Sequence, residues 1–427
     1  MIQYKSDVAF AKAMDDQDPL KHYRSQFHLP MQPDGTPYVY LCGNSLGLQP
    51  KSTAAAIQQE LKDWQNLGVE GHFHAKNPWL PYHEFLTVAM SNVVGGKPEE
   101  VVVMNTLTAN LHFMLVSFYR PTETRNKIVI EADAFPSDKY AAESQIRFHG
   151  YVPSECLIEL KARPGEVCLR SEDIESVIAT EGKNIATIML GNTNYYTGQY
   201  FNIKQITEWG HAQGCMVGFD CAHGAGNVDL QLHESGCDFA VWCNYKYLNS
   251  GPGGMGGIFI HERHHNDPNI PRFEGWWGHN KETRFKMRDA FEPIPTAEAW
   301  QLSNPPIMAL AAVWASLKIF DEVGMPALRS KADRLTGYLE FLVNSLGEDL
   351  VQIVTPSDPT QRGSQLSIQV KSADKKLFEK ITEAGVIADW REPDVIRVAP
   401  VALYNSFEDV YRFYEILKFA MSENIGA

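Results

Sequence analysis

The sequence lacks a hydrophobic run long enough to cross a membrane. Its longest uncharged apolar stretch is Pro305 to Leu317, whereas a transmembrane helix needs about 20 such residues. Met1 to Leu20 contains no apolar core and carries acidic side chains early, so neither a signal peptide nor an organellar presequence is expected. These features predict a soluble protein without a membrane partner.

Positive charge is scarce as well. The 427 residues include 38 lysines and arginines against 52 aspartates and glutamates, which gives a net charge of −14 at pH 7. A chain of this charge would be repelled by the phosphate backbone of nucleic acid. The charge balance therefore excludes nucleic acid as a partner.

Cysteine is sparse and unpatterned. The seven cysteines are odd in number, scattered and mostly inside apolar stretches, and no CxxC spacing occurs. This usage is typical of reduced thiols in a cytoplasmic protein. No metal site is predicted, because the fragments that resemble one lack further ligands at a suitable spacing; they are Cys221–His223, His72–His74 and His264–His265.

What the sequence does contain is a regular alternation of strand and helix patterns. A composition of 44% hydrophobic and 21% charged residues can bury a large core, and no internal repeat is present. Strands alternate with helices over about 200 residues, which predicts an α/β domain with a mostly parallel sheet between helices. We expect an N-terminal segment (1–45) that packs with a small domain, a large domain (46–304), and a small α+β C-terminal domain (305–427).

Two residues between Cys215 and Ile260 suit one particular cofactor. Asp220 ends a short apolar run that predicts a strand buried on both faces. Lys246 follows the next apolar run, lies between two tyrosines and precedes a glycine-rich segment. Pyridoxal phosphate (PLP) needs a buried carboxylate to keep its pyridine nitrogen protonated and a lysine that forms a Schiff base with its aldehyde. Either residue alone could be structural, Asp220 as a helix cap and Lys246 at the surface, but together they predict a PLP site.

The segment Gly251–Gly256 also matches the dinucleotide fingerprint GxGxxG. That fingerprint requires a helix after the glycines. Here the following residues, Gly256–Glu262, have the pattern of a strand, and Pro252 disfavours a helix. A dinucleotide site is therefore excluded.

A candidate phosphate site follows the predicted strand Glu100–Met104. Thr108 lies at the start of the next helix, where free backbone N–H groups and the helix dipole favour a phosphate. The alternative is that Thr106 or Thr108 merely caps this helix.

A candidate ring-stacking residue follows the predicted strand Lys127–Glu131. Phe135 lies just beyond this strand, where an aromatic side chain can stack on a flat ligand ring. The next helix is predicted at Lys139–His149, and Ser137 or Asp138 could simply be its N-cap.

Arg397 is a candidate binder of a carboxylate. It is flanked by strand-forming apolar residues, and its planar guanidinium suits bidentate binding of a substrate carboxylate. The alternative is that Arg397 faces solvent on the polar side of its strand.

Six motifs, in order and across nearly the whole chain, resemble those of kynureninase. They are Cys42–Gly47, Phe135–Asp138, Phe219–His223, Asn244–Asn249, Gly275–His279 and Ile396–Pro400. The resemblance implies a fold type I, PLP-dependent enzyme of the class V aminotransferase-like family with a seven-stranded type of sheet. It also implies a cytoplasmic homodimer that hydrolyses L-kynurenine or 3-hydroxy-L-kynurenine to anthranilate or 3-hydroxyanthranilate plus L-alanine, in tryptophan catabolism and NAD precursor synthesis.

The same resemblance implies roles for single residues. Lys246 would form the Schiff base and share catalysis with Tyr245, and Asp220 would pair with the pyridine nitrogen, with His223 beside it. The other implied cofactor contacts are Leu107, Thr108, Phe135, Pro136, Ser137, Asp138, Tyr245, Trp276 and Asn304, of which Trp276 and Asn304 would come from the neighbouring subunit. The implied substrate contacts are Ser45, His72, Ser303 and Asn304 around the aromatic amine, and Arg397 at the α-carboxylate.

Two details of the resemblance bear on specificity. The combination of histidine, serine and asparagine resembles that of family members that prefer the 3-hydroxylated substrate. Trp277 departs from the pattern, since many members have phenylalanine there; exchanging one large aromatic for another leaves the role of Trp276 unchanged.

Two other functions share parts of this pattern. A class V aminotransferase or a cysteine desulfurase also has the Asp-x-x-His and Lys-then-Gly arrangement, but a desulfurase needs a cysteine on a flexible loop in the later half of the chain, and no cysteine follows Cys243. A PLP-fold protein that binds without turnover is disfavoured, because both the lysine and the carboxylate clamp are present.

Overall fold

The computed structural model describes residues 3–371 and 374–425. Its helices are α1 (Val8–Asp16), α2 (Ser52–Leu67), α3 (Gly71–His74), α4 (Glu84–Val94), α5 (Leu107–Phe118), α6 (Pro136–Phe148), α7 (Pro153–Cys156), α8 (Ser171–Glu181), α9 (Ile203–Ala212), α10 (Leu232–Ser235), α11 (Ile307–Val323), α12 (Met325–Asn344), α13 (Lys375–Glu383) and α14 (Phe407–Ile425). Its strands are β1 (Val39–Tyr40), β2 (Val101–Val103), β3 (Lys127–Glu131), β4 (Leu157–Leu160), β5 (Ile185–Gly191), β6 (Met216–Asp220), β7 (Phe239–Cys243), β8 (Gly256–Ile260), β9 (Val351–Ile353), β10 (Leu366–Val370), β11 (Val386–Ile387), β12 (Asp389–Arg391) and β13 (Val395–Val398).

The large sheet has seven strands in the order β2-β8-β7-β6-β5-β3-β4. β8 runs antiparallel to both of its neighbours, and the remaining neighbours pair in parallel. Its central strands are apolar runs in which nearly every residue is buried, a pattern that requires helices on both faces. The predicted α/β domain with a mostly parallel sheet is confirmed.

The carboxyl ends of the parallel strands bring polar residues together. Gly191 at the end of β5 pairs with Asp220 at the end of β6, and Asp220 pairs with Val241 of β7. Glu131 ends β3, which pairs in parallel with β5. Ligands of such sheets bind just beyond these strand ends, so the register places Asp220 where a ligand is expected.

The strand predicted after the glycine-rich segment is β8, Gly256–Ile260. No helix follows these glycines, because β8 pairs along its whole length with β7 and continues the sheet. The exclusion of a dinucleotide fingerprint agrees with this arrangement.

A second, antiparallel sheet has the order β12-β13-β10-β9. Near it, β1 pairs in parallel with β11, and α1 packs against α14. The buried apolar residues around this sheet form a cluster of their own, to which Leu335 of α12 belongs, whereas Leu328 of the same helix belongs to the core of the large sheet. The division at residues 45 and 304 stays a prediction.

Helix α6 begins at Pro136, three residues before the predicted start at Lys139. Proline is favoured in the first turn because its fixed φ suits a helix and its missing N–H leaves no donor unpaired. Phe135 is therefore the N-cap residue. Ser137 and Asp138 lie inside the first turn, and the alternative that one of them is the N-cap is wrong.

Among the described residues, no helix combines the length and the apolar character that spanning a membrane requires.

Candidate active site

A cavity of about 270 Å³ lies at the carboxyl edge of the large sheet. Its walls come from the ends of β3, β5 and β6, the first turns of α5 and α6, and the small antiparallel sheet. The lining residues are Asn44, Ser45, Leu107, Thr108, Glu131, Phe135, Ser137, Asp138, Gly191, Thr193, Tyr195, Asp220, Ala222, His223, Tyr245, Lys246, Arg391 and Arg397. Most of the predicted site residues therefore share one cavity.

Asp220 and Lys246 are the centre of this cavity. Asp220 is buried at the end of β6, and its Oδ1 accepts a hydrogen bond of 2.7 Å from the Ala222 N–H. Burial raises the pKa of Asp220, and the nearby Lys246 ammonium opposes this effect. Lys246 Nζ lies 5.9 Å from the ring centre of Tyr245. Asp220 is thus not a helix cap, and Lys246 faces the cavity rather than the outer surface.

Two helix N-termini converge at one end of the cavity. Thr108 in the first turn of α5 and Ser137 in the first turn of α6 share a hydrogen bond of 2.8 Å between their hydroxyl groups. Thr106 occupies the N-cap position of α5 without a side-chain capping bond. The free N–H groups and positive dipole ends of both helices therefore meet where a phosphate would be stabilised.

Two further buried carboxyl groups lie beside Asp220. Burial raises the pKa of Asp138 well above its usual range, with further effects from Asp220 and Glu131. Burial and the neighbouring carboxylates thus favour the protonated form of Asp138. Burial also raises the pKa of Glu131 to about 7, and Glu131 accepts a hydrogen bond of 3.1 Å from the Gly191 N–H. Sequence reasoning did not single out Glu131, although its place at the end of β3 was the available signal.

His223 lies on the loop directly after β6 and is buried. Burial lowers its pKa well below the usual value, and the cationic Lys246 acts in the same direction. Its ring is therefore neutral. Its Nδ1 is buried without a hydrogen-bonding partner among the described residues, so one polar atom of the ring is available to a ligand.

The small sheet contributes two arginines to the opposite side of the cavity. Arg397 of β13 is 1% exposed, so the alternative that it faces solvent is wrong. Its Nη1 donates a hydrogen bond of 2.6 Å to the Tyr195 carbonyl, and its Nη2 pairs with Asp389. Arg391 of β12 also lines the cavity and donates to Asp389 Oδ2 at 3.2 Å. Sequence reasoning missed Arg391 and Asp389.

Five predicted site residues do not line this cavity: His72, Pro136, Trp276, Ser303 and Asn304. Pro136 forms the first turn of α6. Trp276, Ser303 and Asn304 are exposed on this chain, and His72 Nδ1 lies 2.9 Å from the Val69 carbonyl oxygen. Their roles at the site stay predictions. Trp277, in contrast, is a core residue, only 1% exposed.

The cavity has the groups that PLP requires. Buried polar atoms are costly unless they are hydrogen-bonded, yet Asp138 Oδ1 and His223 Nδ1 lack partners among the described residues. A bound ring can meet such groups, while the paired helix N-termini suit a phosphate and Lys246 suits an aldehyde. The residues present therefore fit this cofactor.

Comparison with known proteins identifies the family. The kynureninase of Myxococcus xanthus (strain DK1622) is 57% identical over 415 residues, which covers 97% of this chain and 97% of that protein. This chain belongs to the kynureninase family. The kynureninase of Koribacter versatilis (strain Ellin345) is 55% identical over 406 residues, covering 95% of this chain and 96% of that protein. The family model described as "Kynureninase C-terminal domain" matches residues 328–417, which include Arg391 and Arg397.

Solved structures show the fold that this kynureninase family member adopts. The apo structure of a cysteine desulfurase from Thermococcus onnurineus NA1 has a TM-score of 0.74 at 16% identity and covers 99% of this chain and 100% of its own. A C-DES variant with glycine covalently linked to its PLP cofactor has a TM-score of 0.75 at 17% identity, covering 92% and 98%. At these identities the likeness shows the fold alone, and the predicted fold type I architecture is confirmed.

Proposed function

We propose that this protein is a PLP-dependent hydrolase that cleaves L-kynurenine, 3-hydroxy-L-kynurenine or both. The products are anthranilate or 3-hydroxyanthranilate together with L-alanine. The observation that supports this most is that Lys246, Asp220 and Arg397 line one cavity. The chain is also 57% identical to the kynureninase of Myxococcus xanthus.

Each end of the cavity would hold a different part of the cofactor. The first turns of α5 and α6, with Thr108 and Ser137, would hold the phosphate. Asp220 would hold a proton at the pyridine nitrogen, and His223 would lie against the ring as a neutral imidazole. When bound, PLP supplies an electron sink that stabilises negative charge on the substrate carbon beside the amino group.

Lys246 would tether the cofactor and then move protons. As a free amine, Lys246 would be placed to remove the α-proton as a general base. Arg397 would hold the α-carboxylate and so fix the direction of the α-proton relative to Lys246 Nζ.

Tyr245 is the candidate for proton transfer in the later steps. Burial raises the pKa of Tyr245, so its phenol stays protonated and can act as a donor. The overall reaction consumes one water, whose oxygen ends in the carboxylate of anthranilate when the bond between Cβ and Cγ breaks. The carbon left on the alanine side then needs a proton, which a phenol next to Lys246 could deliver.

The proposed assembly is a cytoplasmic homodimer. Trp276 and Asn304 would reach the cofactor of the neighbouring subunit, and their exposure on this chain is consistent with that role.

The aromatic amine of the substrate would be surrounded by Ser45, His72, Ser303 and Asn304. We propose a preference for the 3-hydroxylated substrate from this combination; a higher kcat/KM for unsubstituted kynurenine would refute it.

The test is to assay the purified, PLP-loaded protein for release of fluorescent anthranilate from L-kynurenine, and to compare kcat/KM for both substrates. Lys246→Ala should abolish turnover, and borohydride reduction of the wild-type protein followed by peptide mass mapping should place the cofactor on Lys246. Normal turnover by Lys246→Ala, or attachment elsewhere, would contradict the proposal. Sulfide release from L-cysteine, or turnover that depends on an added keto acid, would instead support the desulfurase or aminotransferase alternative.

A further inference from the structure

Arg391 and Arg397 share a single carboxylate at the edge of the cavity. Asp389 Oδ2 accepts hydrogen bonds from the Nη2 atoms of both arginines. The three residues come from adjacent strands, since Asp389 pairs with Arg397 in the register of β12 and β13. Both guanidinium groups also lie near the ring of Tyr195, at 5.8 and 5.9 Å from its centre. The arginines therefore form one cationic unit on one side of the cavity.

The charges in this unit do not cancel. Two guanidinium groups face one carboxylate, which leaves one positive charge without a counter-charge. If Arg397 and Asp389 were alone, their ion pair would be neutral, and a substrate carboxylate would gain little by approaching it. Arg391 restores the charge that Asp389 neutralises. It is also the more accessible of the two, with 36% of its side chain exposed against 2% for Arg397.

Buried hydrogen-bond donors without acceptors also indicate that an anion binds here. The Nε atoms of Arg391 and Arg397 are both buried without a hydrogen-bonding partner in the described part of the chain. Buried donors on charged groups are costly to leave unpaired. One singly charged anion with two acceptor oxygens would supply both the missing acceptors and the missing negative charge.

We propose that Arg391 is a second carboxylate-binding residue, and that Arg391, Asp389 and Arg397 together form a subsite of net charge +1 for the α-carboxylate of the substrate. Asp389 holds the two guanidinium groups side by side and acts as a positioning residue. This inference rests on the proposed function, because it takes the substrate to be an α-amino acid.

The experiment measures binding without turnover. L-alanine, the proposed product that carries the α-carboxylate, and L-alaninamide, which lacks that charge, are titrated into the PLP-loaded protein by calorimetry. Arg391→Gln makes the unit of Arg391, Asp389 and Arg397 neutral. Arg391→Lys keeps its net charge of +1, and the double variant Asp389→Asn/Arg391→Gln restores that charge. Arg412→Gln is the control, since Arg412 is a cation of the same domain that lines a different cleft.

Arg391→Gln should weaken L-alanine binding about tenfold or more, the effect of losing one charge-assisted hydrogen bond, and should leave L-alaninamide binding unchanged. Arg391→Lys and the double variant should regain most of the affinity for L-alanine, and Arg412→Gln should bind L-alanine as the wild type does. In turnover, Arg391→Gln should raise KM more than it lowers kcat.

If Arg391→Gln weakened the binding of L-alanine and L-alaninamide equally, or weakened neither, Arg391 would not be a carboxylate-binding residue. If the double variant did not regain affinity for L-alanine, the net charge of the subsite would not be what determines binding. Wild-type protein that binds L-alanine no better than L-alaninamide would overturn the subsite as a whole. Failure of the proposed function is separate, because it would appear as absent anthranilate release by the wild-type protein.

Discussion

Burial sets the protonation state of the single residues around the cavity. It disfavours whichever form of a group is charged, so it raises the pKa of Asp138 and Tyr245 and lowers the pKa of His223. In all three groups burial therefore favours the uncharged form. Asp220 and Lys246 line the same cavity as these three groups.

Tyr245→Phe tests the proposed proton transfer. The variant keeps the aromatic ring beside Lys246 but loses the phenol, so kcat should fall by about 100-fold, at the lower end of general acid catalysis. PLP occupancy, measured by absorbance, should change far less. An unchanged kcat would remove Tyr245 from this role, and Tyr247→Phe is the matched control, because Tyr247 is a buried tyrosine that does not line the cavity.

Glu131 makes the stability of the cofactor-free protein depend on pH. Burial raises the pKa of Glu131 from 4.5 to about 7. Between these values the folded chain binds more protons than the unfolded chain, so the contribution of Glu131 is fully present below about 4.5 and is lost as pH rises through about 7. This change corresponds to about 3 kcal/mol.

Glu131→Gln resembles the protonated acid and does not ionise, so it should remove the loss of stability that Glu131 causes as pH rises. Chemical denaturation of the cofactor-free protein from pH 4.5 to 8 should show a smaller decline in unfolding free energy for the variant than for the wild type. Glu175→Gln, an exposed change on α8, is the control and should follow the wild type. Parallel curves for Glu131→Gln and wild type would show that Glu131 ionises freely.

At the scale of secondary structure, the meeting of α5 and α6 explains the phosphate end of the cavity. Each helix presents free N–H groups at its start, and the bond between Thr108 and Ser137 joins the two first turns. One helix N-terminus alone is a weak anion site. Two that converge, with two hydroxyl donors, form a stronger one.

Thr108→Val should weaken PLP binding. It removes the hydroxyl while keeping the shape of the side chain, so the dissociation constant of PLP should rise by about tenfold or more, as expected for one charge-assisted hydrogen bond. Thr108→Ser, which keeps the hydroxyl, should bind nearly as the wild type does. Titration of the cofactor-free protein with PLP measures both, and equal affinity of Thr108→Val and wild type would contradict a phosphate contact.

Individual elements differ in how far their sequence predicted them. β3 has the predicted bounds, because it is a short apolar run with clear ends. β12 was not predicted: it is only three residues long, with Asp389 and Arg391 at its ends, and its pairing with β13 stabilises it. Because β12 is so short and carries charged residues at both ends, it has no apolar run to reveal it, and sequence reasoning found Arg397 but missed Asp389 and Arg391.

At the scale of the whole molecule, the cavity depends on two separate sheets. The strand ends and loops of the large sheet supply Asp220 and Lys246, and the small antiparallel sheet supplies Arg397. The large sheet packs against two apolar clusters, and the small sheet packs in a third. The N-terminal segment joins them, since β1 pairs with β11 while Asn44 and Ser45, a few residues later, line the cavity. Cofactor and substrate groups are thus held by different parts of the fold.

A mixing experiment tests the proposed shared site of the homodimer. Lys246→Ala and the double variant Trp276→Ala/Asn304→Ala should each be nearly inactive alone. Co-refolded in equal amounts, half of the dimers should be mixed, each with one complete site, and about a quarter of wild-type activity should return. No recovery, with mixed dimers verified by native mass spectrometry, would show that each subunit uses its own Trp276 and Asn304.

The sequence by itself determined the alternation of strands and helices around the large sheet, the use of Asp220 and Lys246 in one site, and the membership of the kynureninase family. These follow from local patterns, in which an apolar run ends at a polar residue, and from motifs contiguous in the chain. Only the tertiary structure decided that burial raises the pKa of Asp138, that Glu131 lies beside Asp220, and that Arg391 and Arg397 share Asp389. Each of these depends on burial or on how strands pair in the folded chain, and neither can be read from a local sequence pattern.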